Sequence, residues 1–426
     1  MFAERRTRLM RSMRGGVAVF AGAHEVLRNG DVHYDFRQSS TFHYLTGFDE
    51  PDAVAVLRPG HKEPFVLFVR PHDPAMEIWV GPRAGVEGAR RDFGADAAFP
   101  IADLEQELPK LLVEADTVYF SLGSDDRVQD IITAAIGRRR TAPNALESII
   151  DPAPLVASMR LIKSREELTH LQRAIDVTGA GIDAAMRATR PGMHEYEVQA
   201  VLEAEYRRSG AVRLGFPSIV AGGPNSCTLH YVANSRQLGA RDLLLLDTGA
   251  EWEHYSADVS RTFPAGGAFT PQQRAVYDVV LEAQEAGIEA CTPGRTFLDV
   301  HMAAAKVVTQ GLRKLKVLDG RVDRLVKDGA YRPYFMHGTS HWLGLDVHDE
   351  GPYRVGAESI ELRAGMVLTV EPGVYIAPDA EAPRELRGIG VRIEDDVLIT
   401  RTGHRNMSER IPRDPAVLES LPGANA

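Results

Sequence analysis

Cysteine is nearly absent: the 426 residues contain two, Cys227 and Cys291. With no C-x-x-C pair and no cluster, a disulfide framework and a cysteine-built zinc site are both excluded. Both thiols read as unpaired and partly buried, in a reducing compartment. Positive charge is also short, with 49 Lys and Arg against 59 Asp and Glu, a formal charge of −10. A nucleic-acid binder more often carries the opposite excess, so no nucleic-acid partner is expected. Long apolar runs are missing. VAVFAGA, residues 17–23, is too short for a signal-peptide core and no small-residue cleavage site follows. Nothing approaches the roughly 18–20 apolar residues of a membrane helix. The basic opening MFAERRTRLMRSMRGG reads as a surface helix. A cytoplasmic protein without membrane contact is the expectation. The H-E-x-x-H pattern of helix-borne zinc proteases is absent as well.

What is present is a chain too long for one ordinary core, so two domains are expected. Residues 53–57, 64–69 and 117–121 read as strands, and 101–114 and 127–137 as helices, the first with leucines at 104, 108, 111 and 112. This is an α/β domain over residues 1–160, and the proline-bearing stretch 151–164 reads as a linker. The remainder, 161–426, is organised differently. Ser164 followed by Glu167 has the capping-box spacing, opening a helix to about residue 188. Pro191-Gly192 and a second helix, about 195–208, follow. The pattern returns with Thr270, Pro271 and Gln273, a helix to about residue 290, Pro293-Gly294, and a helix over 297–310. The strands repeat too: LLLL runs into Asp247-Thr248-Gly249, and MVLTV into Glu371-Pro372-Gly373. The reading is a duplicated α+β half whose strands meet at a central site. The tail beyond residue 412 is expected to lack regular structure.

Asp247 ends a wholly apolar strand, where an unpaired buried charge is costly. Alone it reads equally well as the start of an exposed turn. A hairpin would bring Asp258 beside it, with Glu251, Trp252, Glu253 and Tyr255 in the turn. Three of the chain's 14 histidines, His337, His341 and His348, crowd one apolar, glycine-containing segment. Glu371 ends one apolar strand, and Glu394 lies two residues after Arg392 in another. Residues two apart in a strand share a face, so Arg392 is expected to hold Glu394 ionised and oriented. Four carboxylates with imidazole form a hard ligand set able to hold two divalent cations about 3.5–4 Å apart. Without cations the like charges raise one another's pKa. The set favours manganese, cobalt or zinc over copper-like chemistry. Such a pair activates water for attack on a carbonyl and steadies the oxyanion.

HGTSHWLGLDVHD, residues 337–349, resembles the signature of the proline-specific peptidases in the methionine aminopeptidase-like metallopeptidase family. DTGAEWEHYSADVSRTFP at 247–264, TVEPGVYI at 369–376 and GVRIEDDVLIT at 390–400 fit it in the same order. RNGDVHYDFRQSSTFHYLTGFDEPDAV at 28–54 extends the likeness to the N-terminal part, and to the Xaa-Pro aminopeptidase branch. The resemblance implies a duplicated "pita-bread" catalytic domain preceded by a smaller α/β, creatinase-like domain, α+β overall. It implies hydrolysis of the N-terminal Xaa-Pro bond with two divalent ions per subunit, manganese first, zinc or cobalt as alternatives. Asp247 then binds one metal, His341 and Glu371 the other, and Asp258 and Glu394 bridge. Glu371 also serves as acid/base, His230 and His348 touch the substrate at the scissile carbonyl, His337 lines the proline pocket, and Arg392 supports the bridging carboxylate. From its surroundings alone, His230 reads as a structural or surface residue. The bond before proline is tertiary and lacks the amide hydrogen, so an apolar pocket is needed, and Tyr334, Phe335, Trp342 and Val347 are candidate walls beside His337. Partners implied are peptides with proline second and a second or fourth copy of the chain. A prolidase restricted to dipeptides shares all five ligands, but PHDPAMEIWVGPRAG at 71–85 favours the aminopeptidase. A third reading is binding of peptides without hydrolysis.

Overall fold

Ser164 Oγ accepts the Glu167 N–H while the Glu167 carboxylate accepts the Ser164 N–H, and the helix Arg165–Ala188 follows. Thr270 and Gln273 form the same reciprocal pair ahead of Pro271–Ala290. Each pair satisfies two amides that the first helical turn leaves open. This is a computed structural model, and it describes residues 1–113, 115–137 and 146–423. After each long helix the chain turns at a Pro-Gly, with Gly192 at φ +93° and Gly294 at φ +85°, a region open to glycine. A second helix then packs back on the first, Glu195–Arg208 in one case and Phe297–Lys314 in the other. The helix repeat expected from the punctuation is therefore present.

The chain divides into two compact units, Met1–Met159 and Arg160–Ala426. In the first, six strands lie in the order Ala97–Pro100, Phe65–Val69, Val54–Leu57, Val17–Ala21, Thr117–Tyr119, Ser148–Ile150. Leu104, Leu108 and Leu112 of the helix Leu104–Leu112 are buried in its core with Val19, Val56 and Phe68. Part of the expected helix over 101–114 is instead a 3-10 turn, Ile101–Asp103, and residue 114 lies outside the described residues. The stretch expected as a linker is helical over Ala153–Arg160.

In the second unit the strand Leu243–Thr248 runs antiparallel between Ile219–Gly222 and Val259–Pro264. Leu244 and Leu246 enter the large core, while Leu245 packs on the other face with Ile219, Ala221 and Tyr375. Burial on both faces explains the unbroken leucine run. In the other half, Val367–Val370 pairs with Asp395–Ile399, which pairs with His404–Asn406, and Gly373–Ile376 pairs with Ile389–Arg392. The strands thus follow the duplicated arrangement implied by the resemblance.

The tail departs from expectation. Asp414 caps a helix, Pro415–Ser420, and Leu418 is fully buried; residues 424–426 lie outside the described residues. The Arg261 guanidinium donates to the carbonyls of Ile411 at 2.9 Å and Pro412 at 3.0 Å, and to Asp395 at 2.7 Å. Arg413 meets the same Asp395 at 3.0 Å. The tail is in this way tied down immediately behind the strand that follows Glu394. Both cysteines are free, and no helix among the described residues is long and apolar enough to cross a membrane.

Candidate active site

The four carboxylates stand near the ends of two antiparallel pairs. Asp247 lies within its strand, opposite Ser260, and Asp258 immediately precedes Val259–Pro264. The turn between them closes over glycine: a Cβ on Gly249 would sit 1.7 Å from the Ala257 carbonyl oxygen. In the other half Val370 pairs with Asp395, so Glu371 and Glu394 flank the end of that pair. The halves are stitched where the Glu394 N–H donates to the Ser260 carbonyl at 3.1 Å. His341 joins by extending the same edge. Its carbonyl accepts the Thr369 N–H at 3.0 Å, and the Thr339 carbonyl accepts the Glu371 N–H at 2.8 Å.

Asp247, Asp258, His341, Glu371 and Glu394 all line one cavity of about 490 Å³, together with His230, His337, His348 and Arg392. Every metal-ligand and catalytic candidate named from the sequence therefore lines this one cavity. One ligand atom from each of Asp258, His341 and Glu394 lies within 4.8 Å of the others. His341 Nε2 is 3.2 Å from Asp258 Oδ2 and 3.5 Å from Glu371 Oε1. Its Nδ1 faces the Trp342 carbonyl at 3.1 Å, which places the ring proton there and turns the Nε2 lone pair toward the carboxylates. Burial, reinforced by neighbouring carboxylates, pushes the carboxyls of Asp258 and Glu394 well above the usual range, and burial also raises that of Glu371. Asp247 Oδ1 and Asp258 Oδ1 are buried without a hydrogen-bond partner among the described residues. Orphaned oxygens, a lone pair aimed at them and mutually destabilised carboxylates are what divalent cations would resolve. The donor set fits such ions.

Arg392 departs from expectation. Its strand ends at Arg392 and the next begins at Asp395, so it does not hold Glu394 directly. The guanidinium donates to Asp247, to the Tyr375 hydroxyl at 2.9 Å and to Ser260 Oγ at 2.9 Å. Ser260 Oγ in turn donates to Glu394 Oε2 at 2.7 Å. Burial opposes the charge on Arg392, but Tyr375, Asp247 and Glu394 outweigh it and keep the group protonated.

His337 Nδ1 donates to the Gly338 carbonyl at 2.7 Å, and Nε2 lies 2.8 Å from the Tyr375 hydroxyl. Burial and then Arg392 lower its pKa to about 4, so the ring is neutral at neutral pH. His348 sits edge-on to His341, ring centroids 4.4 Å apart, and burial followed by the His341 and His230 rings lowers its pKa. His230 is exposed on the chain beyond the 3-10 turn Gly223–Cys227 and faces the cavity.

The apolar wall differs from the one expected. Val347 and His337 line the cavity, but Tyr334 and Phe335 belong to the large core and Trp342 to a second core with Leu161 and Met366. The wall is built instead by Phe216, Pro217, Leu229 and Val232. The local signal for the first two is the Phe-Pro one residue ahead of the strand alongside Asp247, since Ile219 pairs with Asp247. Tyr375 and Ser260 were also missed.

Comparison with known proteins finds relatives over nearly the whole chain. Residues 169–401 match the family model of metallopeptidase family M24, and residues 2–119 that of the aminopeptidase P N-terminal domain. The Xaa-Pro aminopeptidase of Escherichia coli K12 is 43% identical over 431 aligned residues, covering 99% of this chain and 97% of that protein. A solved Pseudomonas aeruginosa aminopeptidase superposes with a TM-score of 0.97 at 43% identity, covering 99% of this chain and 97% of that one. A zinc-substituted E. coli aminopeptidase P in complex with product gives 0.96 at 42% identity, with 100% and 98% covered.

Proposed function

The chain belongs to metallopeptidase family M24 and performs metal-dependent cleavage of the N-terminal Xaa-Pro bond, and from that premise we propose how its residues divide the work. Asp247, Asp258, His341, Glu371 and Glu394 would together hold the two divalent cations. When bound, such ions polarise a carbonyl and make water acidic enough to attack at neutral pH. Glu371 takes the proton of the attacking water and returns it to the proline nitrogen, which must be protonated to leave. Glu371 faces the cavity from the end of its strand, beside His341 and His337, within reach of such a proton. His348, kept neutral by its surroundings, and His230 donate to the oxygen on which negative charge develops. His337 and the wall of Phe216, Leu229 and Val232 seat the proline ring. Arg392 sets Asp247 directly and Glu394 through Ser260. The observation that carries this division is the convergence of both halves' carboxylates on one cavity, with buried oxygens left unpartnered.

Manganese is the proposed ion, on the strength of the oxygen-rich set with one imidazole; the zinc-substituted E. coli relative supports zinc as an alternative. We place residues 1–160 in a domain that serves assembly and substrate access, and the chain as a cytoplasmic homodimer or homotetramer. Assembly through this domain is supported by Ile78 and Trp79, 83% and 82% exposed on the helix Pro74–Val80, and a light-scattering mass measures it. The activity test uses Xaa-Pro and Xaa-Pro-Xaa peptides with metal-free protein, adding back manganese, zinc and cobalt singly. Hydrolysis of the tripeptide should return, most strongly with manganese. Cleavage of the dipeptide alone would make the chain a prolidase, and failure to bind any ion would leave peptide binding without hydrolysis.

A further inference from the structure

The stretch that carries His230 has its own anchor. Glu195 is the first residue of the helix Glu195–Arg208 and is 0% exposed. Its Oε1 accepts the Gly222 N–H at 2.7 Å and Asn225 Nδ2 at 3.0 Å. Its Oε2 accepts the Tyr231 hydroxyl at 2.7 Å and the Arg236 N–H at 2.8 Å. All four donors come from residues 222–236, and Leu229, His230 and Val232 of that stretch face the cavity. One donor, Tyr231, is the residue next to His230. The far end of the stretch is pinned as well. Asn234, at φ +43°, accepts the Val220 N–H at 3.0 Å and donates to the Ser218 carbonyl at 2.8 Å.

A carboxylate has acceptor capacity for four donors and offers none of its own. Buried at a helix N-terminus, where negative charge is favoured, it is a fixed point on which a loop can be hung at several places. Most first-turn glutamates do less: Glu197, two residues on, is exposed and caps its own helix through the His194 N–H at 2.7 Å. Glu195 spends its side chain wholly on the loop.

We propose that Glu195 is a positioning residue for the reaction: it hangs the 222–236 loop from both carboxylate oxygens so that His230 meets the scissile carbonyl. This rests on the reading of His230 as a substrate-touching group. Glu195 itself does not touch the cavity lining's reacting atoms and acts through His230.

The test is a double-mutant cycle on the manganese-loaded protein, measuring kcat and KM on an Xaa-Pro-Xaa peptide. Glu195→Gln turns an amide group toward two of the four donors, and Tyr231→Phe removes one donor while leaving the carboxylate in place. Glu195→Gln should lower kcat about 10–100-fold, the range for groups that orient a working residue, with little change in KM. Tyr231→Phe should show a smaller loss of the same kind. In a His230→Ala background both losses should nearly vanish, because the residue they serve is gone. If each loss is the same size with and without His230, Glu195 only stabilises the fold and the proposal is overturned. If His230→Ala alone leaves kcat intact, the reading of His230 fails, and the proposal fails with it, by a separate and recognisable result. Should Glu195→Gln not fold, the Tyr231→Phe cycle decides alone.

Discussion

Asp247 lies inside its strand with neighbours on both sides, Ile219 and Ser260, whereas Glu371 and Glu394 stand just past the last pair of theirs. The longer glutamate side chains make up the distance that the shorter strands leave. The halves also differ in what they place around the carboxylates. Asp247 receives the guanidinium of Arg392, a residue of the other half. Glu371 faces two imidazoles from its own half, His337 and His341, each at 3.5 Å. Duplication therefore supplies the placement of four acids, and the departures from it supply direction. One flank is balanced by a permanent cation. The other sets a buried carboxyl between two imidazoles.

The largest effect should come from breaking what the halves share. Glu394→Gln should lower kcat by more than the roughly 10–100-fold typical of groups that only support a ligand, with loss of bound ions measured on the same preparation. Retention of both ions with near-normal kcat would mean the second half does not contribute its acid to the centre. A smaller effect should follow from removing what distinguishes the first half. Arg392→Met leaves Asp247 buried without its cation, which should cost the metal-free protein about 3–5 kcal/mol in urea unfolding. A cost near that of an exposed pair, about 0–1 kcal/mol, would show that the flank is not balanced in this way.

The smallest effect is a dependence on pH. Asp258, Glu371 and Glu394 have folded-state pKa values above their unfolded ones. Between the unfolded carboxyl range, about 4, and the raised values, the folded metal-free protein keeps protons that the unfolded chain has released. Its stability is therefore greatest at the acid end of this window and falls as pH rises through it. Cations remove the penalty, so the gap in Tm between metal-loaded and metal-free protein should widen from about pH 4 toward neutrality. A constant gap would contradict the shared burden.

Much of this was legible beforehand because it was local. Ser164 with Glu167 and Thr270 with Gln273 are short-range caps, and a leucine run ending in Asp247 advertises a buried strand. Other features depend on partners distant in sequence. The pairing of Arg392 with Asp247 spans 145 residues, and nothing near either one marks it. Trp342 and Phe335 are apolar in the same way as Phe216 and Val232, so composition does not tell a core from a pocket wall. Glu195 looks like any acid in a first helical turn until its four donors are seen. The helix Pro415–Ser420 is too short for a periodic pattern, and its one local mark is Asp414 before a proline.

The hold of Arg261 on the carbonyls of Ile411 and Pro412 bears on when the enzyme becomes one. The strand after Asp258 is completed by a segment 151 residues further on. At a synthesis rate of about 5–20 residues per second, that segment leaves the ribosome roughly 8–30 s after Arg261. A chain interrupted in that interval lacks the carbonyls that Arg261 grips and, when stopped before residue 394, part of the acid set as well.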